Sequence, residues 1–101
     1  MGDVFSTSTV RYGALTNGIT EIVIETPSTT DTADTVVVDL SNYGIELLLS
    51  VEGFVHTTAN SVIVAEAPTT AVSSGNLTIT VGGSTVTDKI RVYYVRGRGS
   101  K

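Results

Sequence analysis

The chain has 101 residues with ten acidic and six basic side chains, and its formal net charge at pH 7 is −4. This length predicts one domain built on a single core. The absence of cysteine excludes disulfide bonds and thiolate metal sites. No apolar run approaches the ~18 residues that span a bilayer, and residues 1–6 lack the features of a leader, so we expect a soluble protein that is not exported by the standard route.

The charges are distributed unevenly along the chain. Residues 1–88 contain all ten acids and only one base, Arg11, whereas residues 89–101 contain five bases and no acid. Three interpretations are open: the last strand pairs with an acidic neighbour, docks onto an acidic protein surface, or binds nucleic acid. The net acidity of the domain would repel phosphate, so we expect no nucleic-acid partner.

The N-terminal quarter of the chain predicts an arm, a weak strand and a turn. Residues 1–9 are rich in Ser and Thr. We expect them to form an extended arm that packs on a neighbouring subunit or across an edge of its own domain, because Phe5 is a poor residue to leave in water. A weak strand follows to Tyr12, and Asn17-Gly18 predicts a turn, since both residues tolerate positive φ.

Two strands and a corner follow. The alternation over Ile19–Thr26 predicts a strand that ends at Pro27, and the Val-rich run Thr35–Leu40 predicts a strand buried on both faces. Residues 41–44 are turn formers that are compatible with a single helical turn. Residues 35–55 are therefore predicted to be strand, tight corner, strand.

The longest alternating pattern spans residues 43–55 and is predicted to be the central strand. The residues on the apolar parity are Ile45, Leu47, Leu49, Val51 and Val55, which is the two-residue period of a half-buried strand. Gly53 lies on the same parity without a side chain to pack. It therefore indicates a bulge or a close backbone approach.

The C-terminal half predicts three further strands. Residues 61–66 form a short strand, residues 67–75 a polar loop, and residues 76–81 a half-exposed strand. Two glycines then predict a tight hairpin whose short return covers residues 84–87.

The last predicted strand covers residues 89–96. One of its faces carries Ile90, Val92 and Tyr94, and the other carries Arg91, Tyr93 and Val95. Packing in the core or at its rim is the favoured role for both tyrosines. Residues 97–101 are predicted to be a flexible basic tail.

These patterns together predict an all-β protein. No window keeps apolar residues at helical spacing, so no substantial helix is expected. About seven short strands over residues 10–96 are typical of a single small antiparallel β-sandwich or β-barrel.

The sequence contains no convincing constellation for catalysis. His56 is the single histidine and is expected at the surface or rim, and Glu46 and Glu52 are too far apart along a strand to act together. Asp31 and Asp34 lack the remainder of a calcium-binding loop. We therefore expect a non-enzymatic protein with no cofactor, no metal and no small-molecule substrate.

Three segments carry a resemblance to a known family. These are the Val-rich strand leading into Leu-Ser-Asn-Tyr-Gly-Ile at residues 35–45, Leu-Thr-Ile-Thr-Val-Gly-Gly at residues 77–83, and Lys-Ile-Arg-Val-Tyr-Tyr-Val-Arg-Gly at residues 89–97. In pattern, composition and length, residues 19–97 resemble small virion proteins of tailed bacteriophages, especially head decoration proteins.

The resemblance implies a virion protein, assembled in the host cytoplasm, that binds and reinforces the outer capsid lattice. Its implied partners are the major capsid protein and copies of itself, in a homo-oligomer such as a trimer. Exposed strand edges at either terminus would suit pairing between subunits. We expect the partner contacts at the two ends of the chain, at Val4, Phe5, Arg91, Arg96, Arg98 and Lys101.

Two other classes of function stay open. A carbohydrate- or receptor-binding module, such as a tail-fibre or adhesin domain, would use Tyr12, Tyr43 or Tyr93 as a sugar platform. An enzyme would require a pocket that joins His56 to a carboxylate.

Overall fold

The computed structural model describes residues 3–14, 18–31, 33–58, 62–82 and 89–99, with the backbone alone at residues 57, 58 and 62. Eight strands occur in these ranges: β1 Thr9–Ala14, β2 Ile19–Glu25, β3 Thr35–Asp39, β4 Leu47–Thr58, β5 Val62–Ala65, β6 Thr69–Ser73, β7 Asn76–Thr80 and β8 Arg91–Arg98. The helical content described is limited to two 3-10 turns, Phe5–Thr7 and Leu40–Tyr43.

The strands form two antiparallel sheets. One sheet has the order β1-β2-β8-β4-β5 and the other has the order β3-β7-β6. This arrangement confirms the predicted all-β fold, and the division into two sheets makes it a sandwich. In the described part of the chain, no helix is long and apolar enough to cross a membrane.

The core lies between the two sheets and consists of alternate residues on the facing strands. Because successive side chains of a strand point to opposite faces, each strand contributes every second residue. The fully buried aliphatic and aromatic side chains of the core are Ile22, Ile24, Val36, Val38, Leu77, Ile79, Tyr93 and Val95. The period-two patterns of the sequence therefore correspond to real burial.

The central strand of the larger sheet is β8, whereas the sequence pattern favoured residues 43–55. β8 pairs with β2 on one side and with β4 on the other. Every second residue from Arg91 to Gly97 is buried. Its inner face buries even the guanidinium group of Arg91.

A β-bulge changes the face on which the leucines of β4 lie. The pairing with β8 shifts between Leu48 and Ser50, so Leu48 packs against the core and Leu49 is 47% exposed. The prediction that Leu47 and Leu49 share the core face with Val51 is therefore wrong. One inserted residue reverses the parity of the strand residues before it, Leu47 and Leu48, whereas Ile45, which precedes the strand, is buried as predicted.

Other parts of the chain pack closely against the backbone at Gly53, which is one of the two roles predicted for this residue. A Cβ atom at this position would lie 2.6 Å from the Glu66 carbonyl oxygen and 2.8 Å from Cε1 of Tyr93. The absence of a side chain therefore allows the β5–β6 connection and an aromatic ring to pack on β4.

The prediction that residues 67–75 form a polar loop is wrong, because this segment contains the strand β6. This strand pairs with β7 in continuous register from Thr69 opposite Thr80 to Ser73 opposite Asn76. The hairpin turns at Ser74 and Gly75, which both have positive φ, as a type I′ turn requires. The predicted turn residue Asn17 and the predicted return at residues 84–87 lie outside the described residues.

The last strand runs further than predicted, and the N-terminal segment takes one of its two predicted positions. Gly97 and Arg98, which were predicted to lie in the tail, belong to β8 because they pair with β2 and β4. At the other end, the described part of the predicted arm runs along β3. The Val4 amide donates to the Thr35 carbonyl at 2.8 Å, so this segment covers an edge of its own domain.

Candidate interaction surfaces

Arg91 is buried, which corrects its assignment as a partner-binding residue. Its side chain has no exposed surface, and its Nε lies 3.4 Å from Oε1 of Glu66, whose side chain is also buried. Nη1 donates to the Thr30 carbonyl at 2.6 Å and Nη2 donates to the Gly82 carbonyl at 3.3 Å. These contacts join the loops that follow β2, β5 and β7, so Arg91 holds one end of the sandwich together.

Tyr93 lies beside this buried ion pair. Its side chain is fully buried, and its hydroxyl has no hydrogen-bond partner among the described residues. Burial raises the pKa of Tyr93 well above its ordinary value, the Glu66 carboxylate raises it further, and Arg91 lowers it. Tyr93 is therefore a neutral core residue, and the structure removes it from the proposed sugar platform.

The other basic residues of β8 lie at the surface. Arg96 Nε donates to Oε2 of Glu21 at 2.8 Å, with the two side chains 43% and 21% exposed, and this hydrogen bond raises the pKa of Arg96. The pairing of the last strand with acidic neighbours, one of the three interpretations of its charge, thus occurs at Arg91 and Arg96. Arg98 is exposed at the strand end, and Lys101 lies outside the described residues.

The two N-terminal candidates, Val4 and Phe5, are half-buried. Both pack against the hydrophobic core from its rim. The Asp3 carboxylate accepts hydrogen bonds from the backbone of Phe5 at 2.9 Å and of Val37 at 3.2 Å. These residues therefore act first as a cover for β3, and only their exposed fraction is available to another molecule.

The carboxylates and the histidine do not converge on one site. His56 is half-buried and lines a groove with Phe54, Ile63, Val92 and Tyr94 on the outer face of the larger sheet. No carboxylate lines this groove. Within the described ranges, no group of three or more His, Asp or Glu side chains is close enough to hold a metal ion.

We use the name outer groove for the groove lined by Phe54, His56, Ile63, Val92 and Tyr94. Its rings meet edge to face, with the Phe54 and Tyr94 centroids 5.8 Å apart, and Ile63 at its rim is 57% exposed. Its volume of about 230 Å³ is below the ~300–1,000 Å³ that small-molecule sites usually offer. The outer groove is therefore better suited to one apolar side chain of a protein partner.

One stretch of the chain is almost free of charge. Between Thr57 and Thr87 the sequence contains a single charged residue, Glu66, and that residue is buried against Arg91. Val64 of β5 and Val72 of β6 are 47% and 53% exposed, although each pairs with a buried residue of the neighbouring strand. On the edge strands β5 and β6, side chains on the core-facing side of the sheet are therefore exposed to solvent.

A pair of tyrosines forms a separate aromatic surface. Tyr12 and Tyr43 have ring centroids 4.8 Å apart at an interplanar angle of 80°. Tyr12 is 64% exposed, and burial is the main cause that raises the pKa of Tyr43. Both residues were sugar-binding candidates by sequence, and the structure places them in contact.

No protein-family model, curated protein or solved structure shows a significant match to the chain.

Proposed function

We propose that the chain is a non-enzymatic structural protein of a bacteriophage virion, a decoration protein that binds the outer capsid lattice and stabilises it. The observation that carries the proposal is the outer groove next to the uncharged edge of β5, where Ile63 and Val64 are exposed. Exposed apolar side chains on a rigid sheet are typical of a protein-binding surface. The resemblance of residues 19–97 to decoration proteins supplies the identity of the partner.

The charges of the domain support a surface that binds by packing. Arg91 is neutralised by Glu66 inside the fold, and Arg96 is paired with Glu21. The basic C-terminal segment therefore provides less free positive charge than the sequence suggests. Arg98 is the exposed member of β8, and we assign it and Lys101 a secondary, salt-dependent role in approaching the acidic part of a partner.

Replacing Ile63 with Asp is expected to weaken binding to capsids that lack the protein by about tenfold or more, because a carboxylate would be desolvated at the rim of the outer groove. Co-sedimentation of purified variants with such capsids measures the affinity. Leu49→Asp is the matched control, since Leu49 is similarly exposed on β4 and its change should leave the affinity within about twofold. Equal binding by wild type and the Ile63 variant would contradict the proposal.

A second candidate function rests on the pair formed by Tyr12 and Tyr43. An exposed aromatic ring held edge to face by another presents an apolar face that can pack on a sugar ring, so a glycan-binding module is the alternative. On a glycan array, saturable binding by the wild type that Tyr12→Ala abolishes would favour this function over decoration. We expect no such binding, and Phe54→Ala serves as a control that removes an aromatic side chain from the other surface.

A further inference from the structure

We infer that β6 is a self-association edge, at which two copies of this chain pair their β6 strands antiparallel about a two-fold axis. The two three-stranded sheets would then join into one sheet of six strands. This inference concerns a different strand and a different partner from the proposed capsid contact, which uses the outer groove.

β6 has an open edge and lacks the features that usually protect such an edge. Among the strands that the structure describes, it pairs only with β7, and all five of its residues are exposed. Thr69–Ser73 contains no charged residue and no proline, and its pairing with β7 has no bulge. Charges, prolines and bulges are the devices by which proteins prevent edge-to-edge pairing, so β6 is a template for another strand.

The other sheet edges are protected or less suitable. The edge of β3 is covered by the N-terminal segment, through the bridge between Asp3 and Thr35. β1 carries Arg11, whose charge would lie close to its own copy in a symmetric pair. β5 has only four residues. Among the described strands, β6 is therefore the edge best suited to pairing.

The chemistry of β6 fits a second copy of itself. Antiparallel pairing about a two-fold axis with Ala71 at the centre places Thr70 opposite Val72 and Thr69 opposite Ser73 of the other copy. No like charges meet, because the strand has none. Threonine and valine are favoured as cross-strand neighbours in sheets. The exposed side chain of Val72 would be covered by the methyl group of the opposing threonine.

Ala71 allows a test by charge. It is exposed and lies opposite Thr78, on the face of β6 turned away from the core, so a charged side chain there leaves the packing of the sandwich intact. In the two-fold pair, Ala71→Lys would oppose another lysine, and Ala71→Glu would oppose another glutamate. We expect each variant alone to raise the dissociation constant of the dimer by about tenfold or more.

The decisive measurement is sedimentation velocity over a concentration series of wild type, A71K, A71E and their equimolar mixture. We expect the wild type to dimerise, each variant alone to be shifted toward the monomer at the same concentration, and the mixture to form dimers again. Thr9→Lys and Thr9→Glu on the exposed strand β1 are matched controls that should dimerise like the wild type. Circular dichroism confirms that each variant is folded.

Three results would overturn the inference: a wild type that is monomeric throughout the series, single variants that dimerise like the wild type, or a mixture that stays monomeric. The binding of A71K to capsids is measured in a separate co-sedimentation experiment. A variant that loses dimerisation and still binds capsids shows that the two surfaces are distinct. Loss of both dimerisation and capsid binding would show that the capsid also binds at β6. That result would contradict the assignment of this edge to a second copy alone.

Discussion

Replacing Arg91 with Met is expected to lower the free energy of unfolding by about 3–5 kcal/mol, because it leaves the carboxylate of Glu66 buried without its cation. The change also removes the donors that bind the carbonyls of Thr30 and Gly82, and each lost hydrogen bond to a buried acceptor adds to the cost. A domain of this size is stable by about 5–15 kcal/mol. The variant should therefore be close to the limit of folding.

Urea denaturation followed by circular dichroism measures this loss. The double variant Arg91→Met with Glu66→Gln should recover part of the stability, since it no longer buries an unpaired charge. Arg96→Met is the matched control, because the ion pair of Arg96 with Glu21 is partly exposed and pairs that reach solvent contribute less to stability than buried ones. If the Arg91 and Arg96 variants lost similar amounts of stability, the structural role given to Arg91 would be wrong.

Replacing Gly53 with Ala is expected to destabilise the domain by about 1–3 kcal/mol through overpacking. The new methyl group would lie 2.6 Å from the carbonyl oxygen of Glu66 and 2.8 Å from the ring of Tyr93. The backbone has little room to yield, because the Glu66 amide donates to the Gly53 carbonyl at 2.9 Å. The β5–β6 connection or the tyrosine ring would have to shift.

Gly13→Ala provides the control for this prediction. Gly13 also lies in a strand, but among the described residues other than its two chain neighbours no heavy atom lies within 4 Å of the position that the new methyl group would occupy. The change should therefore be neutral or stabilise the fold by roughly 0.5–1 kcal/mol through reduced freedom of the unfolded chain. Thermal unfolding of the two variants distinguishes crowding from a general effect of alanine in strands. A melting temperature for Gly53→Ala at or above that of the wild type would contradict the close approach.

The candidate surfaces were predictable only in part from the residues. Tyr12 and Tyr43 could be named as aromatic candidates for a sugar platform, yet their contact joins elements far apart in the chain. The outer groove was missed, since Phe54, Ile63 and Tyr94 come from three strands. These side chains point to the outer face of their strands. The alternation in the sequence contains this information, but it identifies a groove only when the order of the strands in the sheet is known.

The sequence determined the local features of this protein. Its period-two patterns predicted the all-β fold and the alternating faces of β2 and β8, because alternation follows from the geometry of one strand and needs no partner. Gly53 signalled a close approach, since a strand position on the apolar parity that lacks a side chain often leaves room for another group. The turn after β3 was also predicted, and Leu40–Tyr43 forms a 3-10 turn that ends at Gly44 with φ 69°.

The tertiary structure decided which strands are central, which edges are open and which charges are buried. β6 was assigned to a loop because a short run of Thr, Ala, Val and Ser has no distinctive pattern, and pairing with β7 makes it a strand. Arg91 was expected at the surface because arginine is rarely buried without a partner. The partner, Glu66, lies 25 residues away, and only the folding of β8 into the centre of its sheet brings the two charges together.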